Sequence, residues 1–490
     1  MSIAALYDAT DAVGLGEAVT SGEVTPAELL DEAIARVERV NPTLNAIASR
    51  LYDSARERAS AAFAGPFAGV PFLAKDLGPE LAGAPLTMGS RYFAQYVPAA
   101  DHELFRRVKA SGFNIFAKTN APEFGLLPYT EPRLFGPCRN PWDTSRTPGG
   151  SSGGSAALVG AGVVPIAHAN DMGGSIRIPA SCVGLFGLKP TRGRAPTTGS
   201  VVGNANVDLA VSRSVRDSAV LLDAIAYEHT DCAEAAMRDP RRLRIALVRG
   251  PMLGHKISDE ARAAVDRAAQ LCESLGHEVA EDEPSGIDYS AMSYALLLLF
   301  ASQIGWHFGA GNPTPKKPVT RADLEPATQA MLTIARVVPM DELTSAAHSA
   351  GMLARHFAEF MQRYDIMLMP TLAAPPVRIG ELGLKRSEEL QIGVLTRIRS
   401  AVLMRKAARD ISARMFDWLP YTPVFNLTGQ PAMNVPLYWT EQNLPVGAQF
   451  AGRWNDEATL FALAGQLERA QPWRNRRPPI WSGHASHVTS

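Results

Sequence analysis

Two glycine- and serine-rich loops constrain this chain most: Thr147-Pro-Gly-Gly-Ser-Ser-Gly-Gly-Ser155 and Asp171-Met-Gly-Gly-Ser-Ile-Arg-Ile-Pro179. Between them lie a short helical stretch and the strand-like run Val163 to Ala167. Loops of this composition have no propensity of their own to order, yet these are embedded between strongly apolar segments, which argues against a flexible linker. Backbone free of side chains also permits close approach by a ligand. A phosphate cradle is a second reading, but neither G-x-x-x-x-G-K-[ST] nor a helix-opening G-x-G-x-x-G with a later acidic partner occurs here. Gly149 to Gly154 fits G-x-S-x-G with Ser151 or Ser152 at the centre, as in a nucleophile elbow. An elbow follows a strand, whereas Asn140 to Pro148 is turn-rich.

The flanking segments define an α/β chain. Thr25-Pro-Ala-Glu28 reads as a capping box with proline at the first helical position, and Leu29, Leu30, Ala33, Ile34 and Val37 keep helical spacing until Asn41-Pro42. Val70 to Ala74 is a short apolar run that reads as a buried strand delivering Lys75-Asp76 at its end. A helix from His102 to Ala110, closed by Gly112, leads into the strand-like Phe113 to Ala117. The rhythm returns with helix Val215 to Ala226 behind Ser214, strand Leu243 to Val248, and helix Asp259 to Leu275 stopped by Gly276. The expectation is one domain over residues 1–490, a central mixed, twisted β-sheet covered on both faces by helices. Its catalytic core falls at about 65–200 and a helical C-terminal part at about 285–415, with proline-rich turns at Pro313 to Pro318 and Pro370 to Pro376.

A net charge of -1 gives no field to draw in nucleic acid, so a small-molecule substrate is expected. Cys138, Cys182, Cys232 and Cys272 are widely spaced, without a C-x-x-C pair, which disfavours a zinc knuckle or disulfide framework and fits a reducing cytoplasm. Met1 to Val13 lacks a basic region followed by an apolar one, and Tyr294 to Ile304 is too short to span a bilayer, so neither export nor a membrane anchor is expected. None of the ten histidines, His168 and His307 included, has a partner at ligand spacing, and they read as structural. No metal or cofactor is expected. The stretch Lys385 to Arg414 interleaves Lys and Arg with Leu390, Ile392, Val394, Leu395, Ile398, Val402 and Leu403. It reads as an amphipathic, solvated helix face, with a substrate lid, a membrane-surface element or a dimer contact as alternatives.

Taken together, Gly-Gly-Ser151-Ser152-Gly-Gly, Asp171-Met-Gly-Gly-Ser175-Ile-Arg177 and Gly187-Leu-Lys-Pro-Thr191 resemble the amidase signature. Val70-Pro-Phe-Leu-Ala-Lys75-Asp76 resembles that family's lysine motif, and Phe425-Asn-Leu-Thr-Gly-Gln-Pro431 with Leu444-Pro-Val-Gly447 its C-terminal pattern, so the likeness spans nearly the whole chain. The resemblance implies an amide hydrolase in which Ser175 attacks the carbonyl, Ser151 bridges and Lys75 is the base. That agrees with the chemistry: a serine hydroxyl is a poor nucleophile until a neighbour takes its proton, and a desolvated lysine can be neutral enough to do so. It further implies a cis peptide between Gly150 and Ser151, an oxyanion hole from the N–H groups of Met172, Gly173, Gly174 and Ser175, and support from Ser152, Asp171 and Arg177. Leu126 and Tyr129 are the expected substrate-pocket residues.

Three functions share such a core: a free-standing amidase, the glutamine-hydrolysing A subunit of a tRNA amidotransferase, and a membrane-associated fatty-acid amide hydrolase. A subunits usually carry Gln where this chain has Ile178, and differ at Gly125-Leu-Leu-Pro-Tyr129, which favours the free-standing enzyme. Gly65-Pro-Phe-Ala-Gly-Val70, Asn140-Pro-Trp142 and Ile178-Pro-Ala-Ser181 look closest to the cyclic amide-oligomer (nylon dimer) hydrolases of the family. Ester or carbamate hydrolysis at the same site, and a homodimer, stay open.

Overall fold

The computed structural model describes residues 2–199, 205–309, 318–398 and 401–483. The strands, in chain order, are β1 (Ile47–Arg50), β2 (Pro71–Lys75), β3 (Asn114–Thr119), β4 (Ile166–Asp171), β5 (Phe186–Lys189), β6 (Val207–Ser212), β7 (Arg244–Leu247), β8 (Glu278–Glu281), β9 (Ile366–Pro370), β10 (Ala432–Trp439) and β11 (Pro445–Gly452). They form one sheet in the order β1-β3-β2-β4-β6-β5-β10-β11-β9-β7-β8. The sheet is mixed: β2 runs parallel to β3 and β4, and β7 parallel to β8 and β9, while the strands between β4 and β9 pair antiparallel. Helices flank it, giving the single-domain α/β architecture expected. The central strands β2, β3, β4, β5, β6 and β9 are buried at every residue, as strands covered on both faces must be.

Local sequence accounts for most elements. Thr25 and Glu28 form the reciprocal capping box, and the helix Pro26–Leu44 follows with Leu29, Leu30, Ala33, Ile34 and Val37 buried. It runs past the expected stop at Pro42 because a proline in the last turn forfeits one hydrogen bond, while the Asn41 side chain accepts the N–H groups of Ala46 and Ile47. Ser214 caps Val215–Ile225 through the N–H of Asp217, and Asp259–Ser274 ends just before Gly276, whose φ is +91°. Phe113 stacks on Phe67 at 4.1 Å and leans on Phe72 at 4.3 Å, locking the entry to β3 against that to β2.

The C-terminal part departs from an all-helical reading. The helices Tyr289–His307, Pro326–Val337 and Met340–Phe360 are followed by β9, which enters the sheet between β11 and β7. Ile366-Met-Leu-Met-Pro370 is short and apolar throughout, a run that suits a buried strand or a buried helix alike, and its helical neighbours favoured the second reading. Pro370 then ends the strand, as the turn at Pro370 to Pro376 required. Of the other proline-rich turn, Pro313 and Pro315 lie outside the described residues. The basic stretch forms two helices, Arg386–Ile398 and Ala401–Ser412. One face of the second is not solvated: Met404 and Ala408 are buried in a cluster with Ile304 and Met331. Among the described residues, no helix is long and apolar enough to cross a membrane.

Candidate active site

Parallel β2 and β4 end side by side, and the edge of the sheet beyond them is where such folds hold ligands. β2 carries Lys75 to this edge with its side chain fully buried. Its Nζ donates to Ser151 Oγ at 2.7 Å and to Asn170 Oδ1 at 2.6 Å. Among the described residues no carboxylate lies within salt-bridge distance of it. Burial disfavours the ammonium, Asp208 and Asp171 oppose that from a distance, and the amine is held down to about 7 from 10.5.

The peptide before Ser151 is cis, as the family resemblance implied. Gly150 lies against the backbone of the Leu127 to Tyr129 loop: a Cβ on it would come within 2.6 Å of the Tyr129 nitrogen and 2.8 Å of the Leu127 carbonyl oxygen. Ser152 is buried, and its hydroxyl donates to the Asn170 carbonyl at 3.4 Å. The helix Gly153–Gly160 then leads the chain back into β4.

At the end of β4, Asp171 and Arg177 form a fully buried pair joined by two hydrogen bonds of 3.0 Å. Burial alone would raise the Asp171 carboxyl, but the Arg177 guanidinium and the Asn426 amide bring it down to about 2. Arg177 also reaches Gln449 and Asn426, so the loop between them is clamped from β11 and the helix Thr422–Thr428. The Asp171 carboxylate accepts the N–H groups of Gly174 and Ile176. The Gly174 N–H is thus engaged at 2.7 Å within the loop. Met172, Gly173 and Ser175 are half-buried and line the cavity above. Gly174 has φ +127°, and a Cβ on it would run into Thr422 and Ile178, so only glycine fits there.

That cavity measures about 1270 Å³. Ser175, Leu126, Tyr129, Ile178, Phe300 and Trp418 are among its walls. The Phe300 ring stands over the loop, where a Cβ on Gly173 would lie 2.9 Å from its Cζ. Gly125 stands between cavity and serine: a Cβ there would be 3.0 Å from Ser151 Oγ. The outer rim is charged, with Lys256, Lys385 and Arg414 set against Glu381, Glu388, Asp410 and Asp417. The stretch from Lys385 to Arg414 therefore supplies part of the cavity wall.

Of three polar groups around Lys75, the sequence singled out neither Asn170 nor Asp208, and His168 read only as structural. Asn170 fixes its amine, His168 Nδ1 accepts its backbone N–H at 3.2 Å, and Asp208 on β6 meets His168 Nε2 at 3.0 Å. The signal was in β4, where His168 and Asn170 alternate with Ala167 and Ala169: polar residues two apart in a buried strand share a face and need partners there.

A large, mainly apolar cavity at the strand ends of an α/β sheet, over a loop braced by buried ion pairing, belongs here to a hydrolase of carbon–nitrogen bonds. The chain belongs to the amidase family, whose model matches residues 28–461. It is 35% identical to the 6-aminohexanoate-cyclic-dimer hydrolase of Pseudomonas sp. (strain NK87), over 96% of each chain. The solved structure of a 6-aminohexanoate cyclic dimer hydrolase with substrate superposes with a TM-score of 0.84 at 32% identity, covering 96% of this chain and 99% of that one. A bacterial aryl acylamidase of the amidase signature family gives 0.82 at 26% identity, covering 95% and 96%.

Proposed function

We propose that this amidase cleaves its substrate through an acyl-enzyme formed on Ser175, with Ser151 relaying protons to Lys75. The observation that carries this reading is a fully buried lysine whose amine donates to two neutral oxygens, one of them a serine hydroxyl. A neutral Lys75 accepts the Ser151 proton as Ser151 accepts that of Ser175, and Ser175 Oγ bonds to the carbonyl carbon. The oxyanion is met by the N–H groups of Met172, Gly173 and Ser175. On collapse the C–N bond breaks and the amine leaves with the proton returned from Lys75 through Ser151. Water, deprotonated by the same relay, then releases the acid and restores Ser175.

Ser152, Asp171 and Arg177 support the loops, while Leu126 and Tyr129 contact substrate. The cavity exceeds what a primary amide such as glutamine fills, and Ile178 is apolar, so the substrate is a larger amide with apolar segments. Cyclic or linear amide oligomers, as named for the relatives, are the first compounds to try. The four free, buried cysteines suit a reducing cytoplasm. The test is labelling by a serine-directed phosphonate, read by intact mass and peptide mapping, beside turnover by Ser175→Ala. A single adduct on Ser175 and loss of turnover are expected; an adduct on Ser151 or Ser152 in an active protein refutes the assignment.

A further inference from the structure

Lys75 is the last residue of β2, and the ladder joining β2 to β4 has already ended at Leu73 opposite Ala167. Towards β3 the strand continues to be held, since Lys75 pairs with Thr119 and the Asp76 N–H reaches the Thr119 carbonyl. Towards β4 a side chain takes over: the Lys75 N–H donates to the ring of His168 rather than to a backbone oxygen. Because Nδ1 accepts that bond, the ring proton sits on Nε2, which donates to Asp208 Oδ1 at 3.0 Å. Asp208 is fixed in turn by the Thr197 hydroxyl on its other oxygen. All of His168 and Asp208 is buried, and the Phe105 ring packs edge-on against the imidazole at 5.2 Å.

We propose that Asp208 and His168 form a positioning pair, which holds the end of β2 in register so that the Lys75 amine meets Ser151. The inference rests on the reading of Lys75 as base. Asp208 selects the tautomer; His168 Nδ1 then pins the Lys75 backbone; Asn170, two residues along β4, sets the other end of the same side chain. Neither residue touches substrate. Geometry favours a neutral ring, since the position of Nδ1 facing an N–H leaves no room for a second ring proton. Burial also disfavours imidazolium, against the Asp208 carboxylate and with Lys75 and Lys118 nearby. The charged groups facing this pair are Lys75 on β2, Lys118 on β3 and Asp171 at the end of β4, with Asp76 beside Lys118.

The experiment compares the full-length wild type with His168→Asn, His168→Leu and Asp208→Asn, measuring kcat and KM across pH and thermal midpoints. Asn presents an acceptor where Nδ1 was; Leu fills the space without one. The expected result is a fall in kcat of about tenfold or more for His168→Leu with KM within about twofold, and recovery of most of kcat by His168→Asn. Asp208→Asn removes the anion that favours protonated Lys75, so its acid limb should move to lower pH. Equal kcat in folded His168→Asn and His168→Leu, or an acid limb unmoved by Asp208→Asn, overturns the pairing. Lys75→Ala separates the two readings: if the wild-type limb survives that change, Lys75 is not the base, and the positioning role falls with it.

Discussion

Replacing Lys75 by Met should destroy activity and at the same time stabilise the protein at neutral pH. Folding brings this amine from 10.5 to about 7, chiefly through burial. The unfolded chain thus binds a proton that the folded one releases at pH values between the two. At about 1.4 kcal/mol per unit, the cost to the fold grows as pH falls from 10.5 to 7, reaches about 4 to 5 kcal/mol, and is constant below. Stability attributable to Lys75 is therefore greatest above 10.5 and is lost as pH falls towards 7. Met removes that cost but leaves Ser151 Oγ and Asn170 Oδ1 without their donor, about 1 kcal/mol or more each. The net gain at pH 7 should be about 2 kcal/mol, and it should shrink by about 2 kcal/mol between pH 7 and pH 9. Equilibrium urea unfolding of wild type and Lys75→Met at pH 7, 8 and 9 measures it. A difference that stays flat with pH, or a variant less stable than wild type at pH 7, would show that the folded state does not keep this lysine neutral.

Three further outcomes follow from the same geometry. The acid limb of kcat/KM should have a midpoint near 7 and fall about tenfold per pH unit below it, because protonated Lys75 cannot accept the Ser151 proton; a limb that stays in Lys75→Ala contradicts this. Asn170→Asp places a carboxylate where an amide oxygen stands 2.6 Å from Nζ, which favours the ammonium, so the limb should move to higher pH and kcat/KM at pH 7 should drop about tenfold or more, as a pH–rate series would show. Phe300→Ala clears space above Gly173, so in a series of acyl anilides the preferred chain should lengthen while Ser175 labelling is retained; parallel losses for every chain length would mean the ring does not set size.

The architecture was legible where side-chain chemistry is local. The capping box at Thr25, the helix start at His102, the cap at Ser214 and the apolar run before Lys75 appear as the sequence pattern foretold. What pattern could not reach was pairing across the sheet. The strand at Ile366–Pro370 and its place between β11 and β7 depend on contacts with residues far along the chain, and five apolar residues fit helix or strand equally. The same holds at the site. Lys75, Ser151 and Ser175 stood out in glycine-rich or strand-end motifs, whereas Asn170, His168 and Asp208 gain meaning only from the register of β2, β4 and β6. The bond from the Gly174 N–H to Asp171 was equally hidden, because nothing local says that the Asp171 carboxylate folds back onto it.

The contact of Gly150 with the Leu127 to Tyr129 loop bears on redesign. With the loop backbone so close to Gly150, the cavity wall at 127–129 and the peptide that carries Ser151 form one mechanical part. Libraries diversified at 126–129 will mix altered selectivity with lost turnover, and screening them for new substrates will mostly recover damaged enzymes. Leu382, Leu384 and Lys385 line the same cavity from a separate, exposed segment. Evolution of this scaffold towards new amides should begin there, leaving the inner loop for the final rounds.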